Sequence, residues 1–146
     1  PNCGADVEWD LMRMPLPFPD DSFDEIHAYH VLEHTGAMGD WRFFFAQWSE
    51  FWRLLKPDGI FCGVVPAVSS AWLFADPGHT RVIVPETFTF LNQEEYTRQV
   101  GTTALADYRH FYRADFQPVF REERTSGDDR QFYFILQAKK PSRITI

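Results

Sequence analysis

A helix followed at once by a fully apolar segment is the feature that most restricts how this chain can fold. Bulky apolar side chains recur at steps of three and four from about Asp40 to Leu55, which predicts an amphipathic helix with Asp40 as its N-cap. The sequence KPDG at 56–59 predicts a turn that ends the helix. Ile60–Val65 reads IFCGVV, which is typical of a strand covered on both faces, as in a parallel sheet. Helix and strand together predict an α/β fold.

The remaining segments fit the same class. A strand at Phe23–Val31 follows a proline-rich loop, and strands alternating with helices favour a mostly parallel sheet with a closing antiparallel hairpin. The other expected elements are a strand at Val7–Leu11, a turn at Asp76–His79, a helix from Pro85 to Val100 with a break near Leu91, a hairpin of Phe116–Arg124 and Gln131–Lys139, and a loose tail at Lys140–Ile146.

Length and charge restrict the class of function. The chain has 146 residues, which suits a single domain over 1–146, and it is 45% hydrophobic, which is enough to build a core. Its net charge of −7 argues against nucleic acid as the partner, because phosphate binding needs a basic face. No apolar run has the length of a bilayer span and nothing reads as a signal peptide, so we expect a cytoplasmic protein without a membrane partner.

Three stretches together resemble the class I S-adenosylmethionine-dependent methyltransferases. They are LPFPDDSFDEIHAYHVLEH at 16–34, EFWRLLKPDGIFCGVVP at 50–66 and DPGHTRVIVPETF at 76–88. The resemblance covers roughly Val7 to Phe90 and implies a three-layer, Rossmann-like sandwich with S-adenosylmethionine as cofactor. In that family a glycine-rich loop after the first strand grips the cofactor, and here only six residues precede Val7. We therefore expect a fold truncated at its N-terminus that binds the cofactor weakly or not at all.

The resemblance also implies roles for the residues near the ends of the first two expected strands. Asp10, with Leu11 and Met12, corresponds to the part that contacts the adenine, and His30 to the part that flanks the methionine end of the cofactor. His34 faces the reaction cleft, where an imidazole serves as general base because its pKa lies near neutral pH. The alternatives are structural: Asp10 caps a turn, and Glu33 and His34 cap the following loop.

A second group of candidates lies in the segment that covers the cleft in related enzymes. His79 and Arg81 belong to it, and Arg81 would pair with a carboxylate or phosphate of the acceptor. The alternative is a loop held by a local ion pair. We expect no metal site, because His30 and His34 straddle a strand end and Cys3 and Cys62 lack metal-ligand spacing.

The expected function is methyl transfer from S-adenosylmethionine to a small molecule or glycan. The alternative is a catalytically inactive, methyltransferase-like binding or oligomerisation module. A homodimer is expected, because removing the first strands of the family's sheet turns a buried strand into an edge that pairs with another copy. Inward movement of Val7–Leu11 to pair beside Phe23–Val31 is the other way to cover this edge.

Overall fold

The computed structural model describes residues 4–146, and of Ser126 only the backbone. Its centre is a four-stranded sheet with the strand order β1-β2-β4-β3. The elements in chain order are β1 (Phe23–Tyr29), α1 (Trp41–Leu54), β2 (Leu55–Pro66), α2 (Trp72–Ala75), α3 (Gln93–Gln99), β3 (Phe116–Ser126) and β4 (Asp129–Ala138), with 3₁₀ turns at Leu32–His34 and Pro85–Phe90.

The α/β class and the closing hairpin are confirmed. β1 pairs with β2 in parallel, whereas β2 with β4 and β3 with β4 are antiparallel. The expectation of a mostly parallel sheet therefore holds for the β1–β2 pair alone. The reason is arithmetic: a terminal hairpin contributes two antiparallel pairings to a sheet that has only four strands.

Helix α1 forms where the apolar periodicity predicts it and supplies most of the core on one side of the sheet. The Asp40 side chain accepts a hydrogen bond from the backbone N–H of Phe43 at 3.0 Å, which confirms Asp40 as the N-cap. Trp48 is 1% exposed, and its ring lies 5.0 Å from that of Phe61 and 5.5 Å from that of Phe116. These contacts fasten the helix to both β2 and β3.

The sequence predicted that KPDG at 56–59 forms a turn between the helix and the next strand. The structure shows no separate turn there. Strand β2 already begins at Leu55, and the pairing of β1 with β2 shifts between Phe23↔Leu55 and Glu25↔Ile60. Asp58 has φ 61°, a left-handed conformation that aspartate tolerates better than most residues. The turn residues therefore make a bulge inside the strand.

One face of the sheet is covered and the other is open. Phe132, Phe134, Leu136 and Ala138 alternate along β4 on the covered face, where α1 and the turn Pro85–Phe90 pack. Within residues 4–146 the opposite face carries a groove of about 500 Å³ instead of a helix. The α/β class of the fold is thus confirmed, with α1 on one face of the sheet and a groove on the other within the described residues.

The prediction of a strand at Val7–Leu11 is wrong. This segment is exposed, and its polar groups bond within the segment: Met12 N donates to the Asp10 carboxylate at 2.9 Å, and Arg13 N donates to Asp10 O at 2.9 Å. A short polar side chain that bonds its own backbone competes with strand pairing. The inward movement that would cover β1 does not occur, so β1 is an edge of the described sheet.

The region from Pro85 to Val100 breaks as predicted. The 3₁₀ turn ends at Phe90, Leu91 is fully buried, and α3 begins after Asn92, whose side chain accepts from Glu95 N at 3.3 Å. A capping side chain in mid-segment explains why one continuous helix does not form.

The C-terminal tail is not loose, contrary to the sequence expectation. Arg143 Nε donates to the Asp115 carboxylate at 2.8 Å, and another guanidinium nitrogen donates to Glu94 at 2.6 Å. Asp115 is fully buried, so the tail arginine neutralises a charge inside the protein. Separately, none of the helices within residues 4–146 has the length and apolarity needed to cross a bilayer.

Candidate functional site

The candidate site begins where β1 ends, at the carboxyl edge of the parallel pair. His30 leaves the strand with φ 54°, while its N–H still donates to Val64 O of β2 at 2.8 Å. The 3₁₀ turn that follows points two neighbouring side chains in different directions. Glu33 is 1% exposed, whereas His34 is exposed to solvent.

A loop distant in sequence is joined to this turn through the backbone. Thr80 N and Arg81 N both donate to Glu33 O, at 2.9 and 3.1 Å. This pairing brings His79 against His34, with their ring centroids 4.7 Å apart in a T-shaped arrangement. Two histidines from separate segments therefore share one edge of the sheet.

The loop approaches His34 closely because residue 78 has no side chain. His34 Nδ1 lies 3.0 Å from Gly78 O, so Nδ1 is the ring nitrogen that donates a proton in this contact. A Cβ on Gly78 would lie 3.3 Å from His34 Nδ1 and 3.2 Å from an oxygen of Asp76. Asp76 also accepts from Gly78 N at 2.7 Å, so the predicted turn at Asp76–His79 is confirmed.

Two buried polar atoms in this cluster have no hydrogen-bond partner. One Glu33 carboxylate oxygen lies 3.3 Å from His30 Nδ1, but the other, Oε2, is unpartnered. His79 Nδ1 is likewise buried and unpartnered, while its Nε2 lies 3.7 Å from Asp76. Leaving buried polar atoms unpaired is costly, so a water molecule, an ion or a ligand would be stabilised at these two atoms.

Arg81 is held inside the protein by backbone groups. Its guanidinium donates to Thr35 O at 3.1 Å, to Ala37 O at 2.8 Å and to Asp40 O at 3.2 Å, and it lies 5.0 Å from the Phe44 ring centroid. Burial lowers the pKa of this arginine, and the nearby Asp40 charge partly opposes that effect. This geometry favours the alternative of a structural tie between loops over contact with an acceptor.

The candidate cofactor residues are divided between two places. Asp10, Leu11 and Met12 form an exposed turn, and the Met12 sulfur lies 3.2 Å from Gly36 N, in the loop that follows His34. His30 instead lines the groove on the open sheet face. The structure therefore places Met12 beside the loop that follows His34. The Asp10 carboxylate caps its own turn.

The sequence reasoning missed the role of Glu33, which it treated only as a possible cap for the following loop. Glu33 and His34 are adjacent in the sequence, but the loop that they contact lies far along the chain. His34 and Gly78, for example, are 44 residues apart. Periodicity and spacing do not report a contact over that distance. The single available hint was a histidine placed directly after a DPG turn.

The chain is similar to known proteins at three levels: a family model, curated sequences and solved structures. Residues 4–63 match the family model of a methyltransferase domain. Among curated proteins, the chain is 26% identical over 123 residues to sterol 24-C-methyltransferase of Eremothecium gossypii, and 27% identical over 77 residues to that of Pneumocystis carinii. The first alignment covers 84% of this chain and 29% of the relative, and the second covers 53% and 18%.

Solved structures show the same fold at low identity. A SAM-dependent methyltransferase from Archaeoglobus fulgidus aligns with a TM-score of 0.55 and 17% identity, covering 90% of this chain and 66% of that one. The N-methyltransferase NodS from Bradyrhizobium japonicum aligns with a TM-score of 0.52 and 14% identity, covering 92% and 59%. The chain thus spans less than a third of the curated relatives and about two thirds or less of these structures.

Proposed function

We propose that the chain takes part in methyl transfer from S-adenosylmethionine. The match of residues 4–63 to a methyltransferase-domain family model and the shared fold support the resemblance to the class I S-adenosylmethionine-dependent methyltransferases. The observation that carries the proposal is the convergence of polar side chains at the carboxyl end of β1. In open α/β sheets this edge is where ligands bind.

The cofactor is proposed to lie between the turn before β1 and the end of β1. Asp10, Leu11 and Met12 would frame the adenine, and His30 would flank the methionine end. In the structure Asp10 is exposed and the His30 side chain is 44% exposed, so both are accessible to a ligand. These residues offer few buried hydrogen bonds, and each missing bond of about 1.4 kcal/mol lowers affinity tenfold. We therefore propose weak binding by this chain alone.

His34 is proposed as the general base. Its Nδ1 is engaged by Gly78 O, so Nε2 is the nitrogen that carries a free lone pair. A neutral imidazole fixed in this tautomer can accept the acceptor's proton as the methyl group is transferred. His79, packed against the His34 ring, is proposed to contact the acceptor, and Arg81 is proposed to act by holding this loop.

A small molecule or glycan with a hydroxyl group is the proposed acceptor, since a general base is useful where a proton must leave. The similarity to sterol 24-C-methyltransferases supports methyl transfer as the reaction and does not carry their acceptor to this chain. A cytoplasmic location, and the lack of nucleic acid and membrane partners, stay predictions from the sequence.

Transfer of radiolabelled methyl groups from S-adenosylmethionine to a set of hydroxyl-bearing small molecules and glycans tests this function. Millimolar cofactor is required because binding is proposed to be weak. His34→Ala should reduce turnover strongly while leaving the melting temperature nearly unchanged, because His34 is exposed. His27→Ala is the matched control, since His27 is an exposed histidine on β1 that bonds Glu25 and Tyr29.

Two results would count against this assignment. Equal losses in His34→Ala and His27→Ala would exclude His34 as the base. A large fall in melting temperature for His34→Ala without a specific loss of turnover would support its alternative role as a loop cap.

A binding or oligomerisation module is the second candidate, and the open face of the sheet favours it. Cys62, Val64, Tyr133 and Ile135 line the groove there beside the edge strand β1. Burial raises the pKa of the Cys62 thiol, and the nearby Glu25 charge raises it further. A homodimer remains our prediction: light scattering at micromolar concentration should give twice the 17.1 kDa chain mass, and a clean monomer would contradict it.

A further inference from the structure

The cluster at the end of β1 has the composition of a metal site. Glu33, His34 and His79 each offer one ligand atom, and these three atoms lie within 4.8 Å of one another. We propose that these residues bind one divalent transition-metal ion of the zinc class. This proposal replaces the sequence expectation of no metal, which considered His30 with His34 and did not bring in the loop at His79.

Unpartnered buried atoms provide the second observation. Glu33 is 1% exposed and its Oε2 has no hydrogen-bond partner, and His79 Nδ1 is also buried and unpartnered. A buried carboxylate is costly unless a cation or hydrogen bonds compensate it. A metal ion would satisfy both orphaned atoms at once, since carboxylate oxygen and neutral imidazole nitrogen are its usual ligands.

One atom of each of the three side chains lies near a neighbouring polar group. His34 directs Nδ1 to Gly78 O at 3.0 Å, His79 directs Nε2 toward Asp76 at 3.7 Å, and the second oxygen of Glu33 lies 3.3 Å from His30 Nδ1. Metal-binding histidines characteristically donate their other ring N–H to a carbonyl or carboxylate, which fixes the tautomer. We infer that the metal ligands would be His34 Nε2 and the two unpartnered atoms, His79 Nδ1 and Glu33 Oε2.

Chemistry and size favour zinc over magnesium or calcium. Two imidazoles with one carboxylate suit borderline transition metals, whereas magnesium and calcium prefer oxygen ligands. Tetrahedral zinc with bonds of about 2.0–2.1 Å needs ligand atoms about 3.4 Å apart. The ligand atoms lie within 4.8 Å of one another, and we infer that rotation of the exposed His34 side chain shortens this spacing when the metal binds.

Three protein ligands leave a coordination position open, as in catalytic zinc sites. If the proposed methyl transfer holds, a hydroxyl acceptor would occupy this position and release its proton to solvent water more readily, and His34 would act as a ligand instead of a base. That consequence rests on the proposed function. Metal binding itself does not, and it is measured without S-adenosylmethionine.

The test is equilibrium dialysis of the chelator-treated chain against zinc, followed by metal analysis, with the cobalt(II) spectrum as a second readout. The expected result is one ion per chain and a cobalt spectrum typical of four or five ligands. His34→Ala and His79→Ala should each weaken binding at least tenfold. His34→Ala is the more secure variant because that side chain is exposed, and circular dichroism checks that each variant folds.

The matched controls are His27→Ala, at an exposed histidine of β1 outside the cluster, and Cys62→Ser, which removes a free thiol outside the cluster. Both should retain one ion with unchanged affinity. The proposal is overturned if zinc does not bind, if binding persists unchanged in His34→Ala and His79→Ala, or if either control loses the ion. Failure of the methyl-transfer assay with zinc bound would refute the proposed function and leave the metal site intact.

Discussion

Arg81→Ala tests whether this arginine holds the site together or binds an acceptor. The change removes donors to Thr35 O, Ala37 O and Asp40 O and leaves these carbonyls in a largely buried place. Hydrogen bonds that involve a charged group contribute about 1.5–3 kcal/mol each, and part of this is regained because water enters the vacated space. We therefore expect the free energy of unfolding to fall by about 3 kcal/mol.

Urea denaturation followed by tryptophan fluorescence measures the change in the free energy of unfolding. In a thermal scan, the melting temperature should fall by roughly 6–12 °C. The control is Arg42→Ala, an exposed arginine on α1 that stacks on Trp41 at 4.3 Å. It should lose less than about 1 kcal/mol. If Arg81→Ala were as stable as this control but lost affinity for an anionic acceptor, Arg81 would be a substrate contact and the structural account would be wrong.

Three further predictions concern the core, the tail and the pH dependence. Gly63→Ala should destabilise the chain by about 2 kcal/mol in urea denaturation, because the new Cβ would lie 2.1 Å from the buried ring of Phe134; an unchanged midpoint would show that the ring can move. Arg143→Ala should lower the free energy of unfolding by about 3–5 kcal/mol, because it leaves the buried Asp115 carboxylate unpaired. Arg113→Ala, at an exposed position, is the control and should be nearly neutral. Equal effects of the two variants would contradict a role for the tail. The hydrogen bond from Arg109 lowers the pKa of Asp107 to about 2, so the stabilisation from this pair is present above the unfolded pKa of about 4 and is lost as the pH falls toward 2. The difference in urea midpoint between the wild type and Asp107→Asn should therefore shrink, by a small amount because the pair is partly exposed, between about pH 5 and about pH 3; a constant difference would contradict the pKa assignment.

Local pattern was enough to predict the elements that build the fold. Helix α1, its cap at Asp40 and the hairpin of β3 and β4 follow from signals within a few residues of each element. The break at Leu91 was also visible, since Asn92 is a cap residue in mid-segment. These features depend on periodicity and turn chemistry, which the sequence carries directly.

What the sequence did not predict depends on contacts between distant residues. The alternation at Val7–Leu11 suggests a strand, yet its backbone bonds to Asp10 and no neighbouring strand pairs with it. The tail looked loose because nothing nearby in sequence marks Asp115 as the partner of Arg143. The meeting of Glu33 with His79 depends in the same way on a backbone link between two loops.

The measurement that tests the central claim most directly is a titration of the isotope-labelled chain with S-adenosylhomocysteine, followed residue by residue by NMR. The account predicts saturable shifts at Asp10, Leu11, Met12 and His30, with a dissociation constant well above the micromolar range. Shifts confined to other parts of the chain, or none at low millimolar ligand, would contradict a methyltransferase cofactor site at the end of β1. Micromolar affinity would contradict the proposal that this chain binds the cofactor weakly.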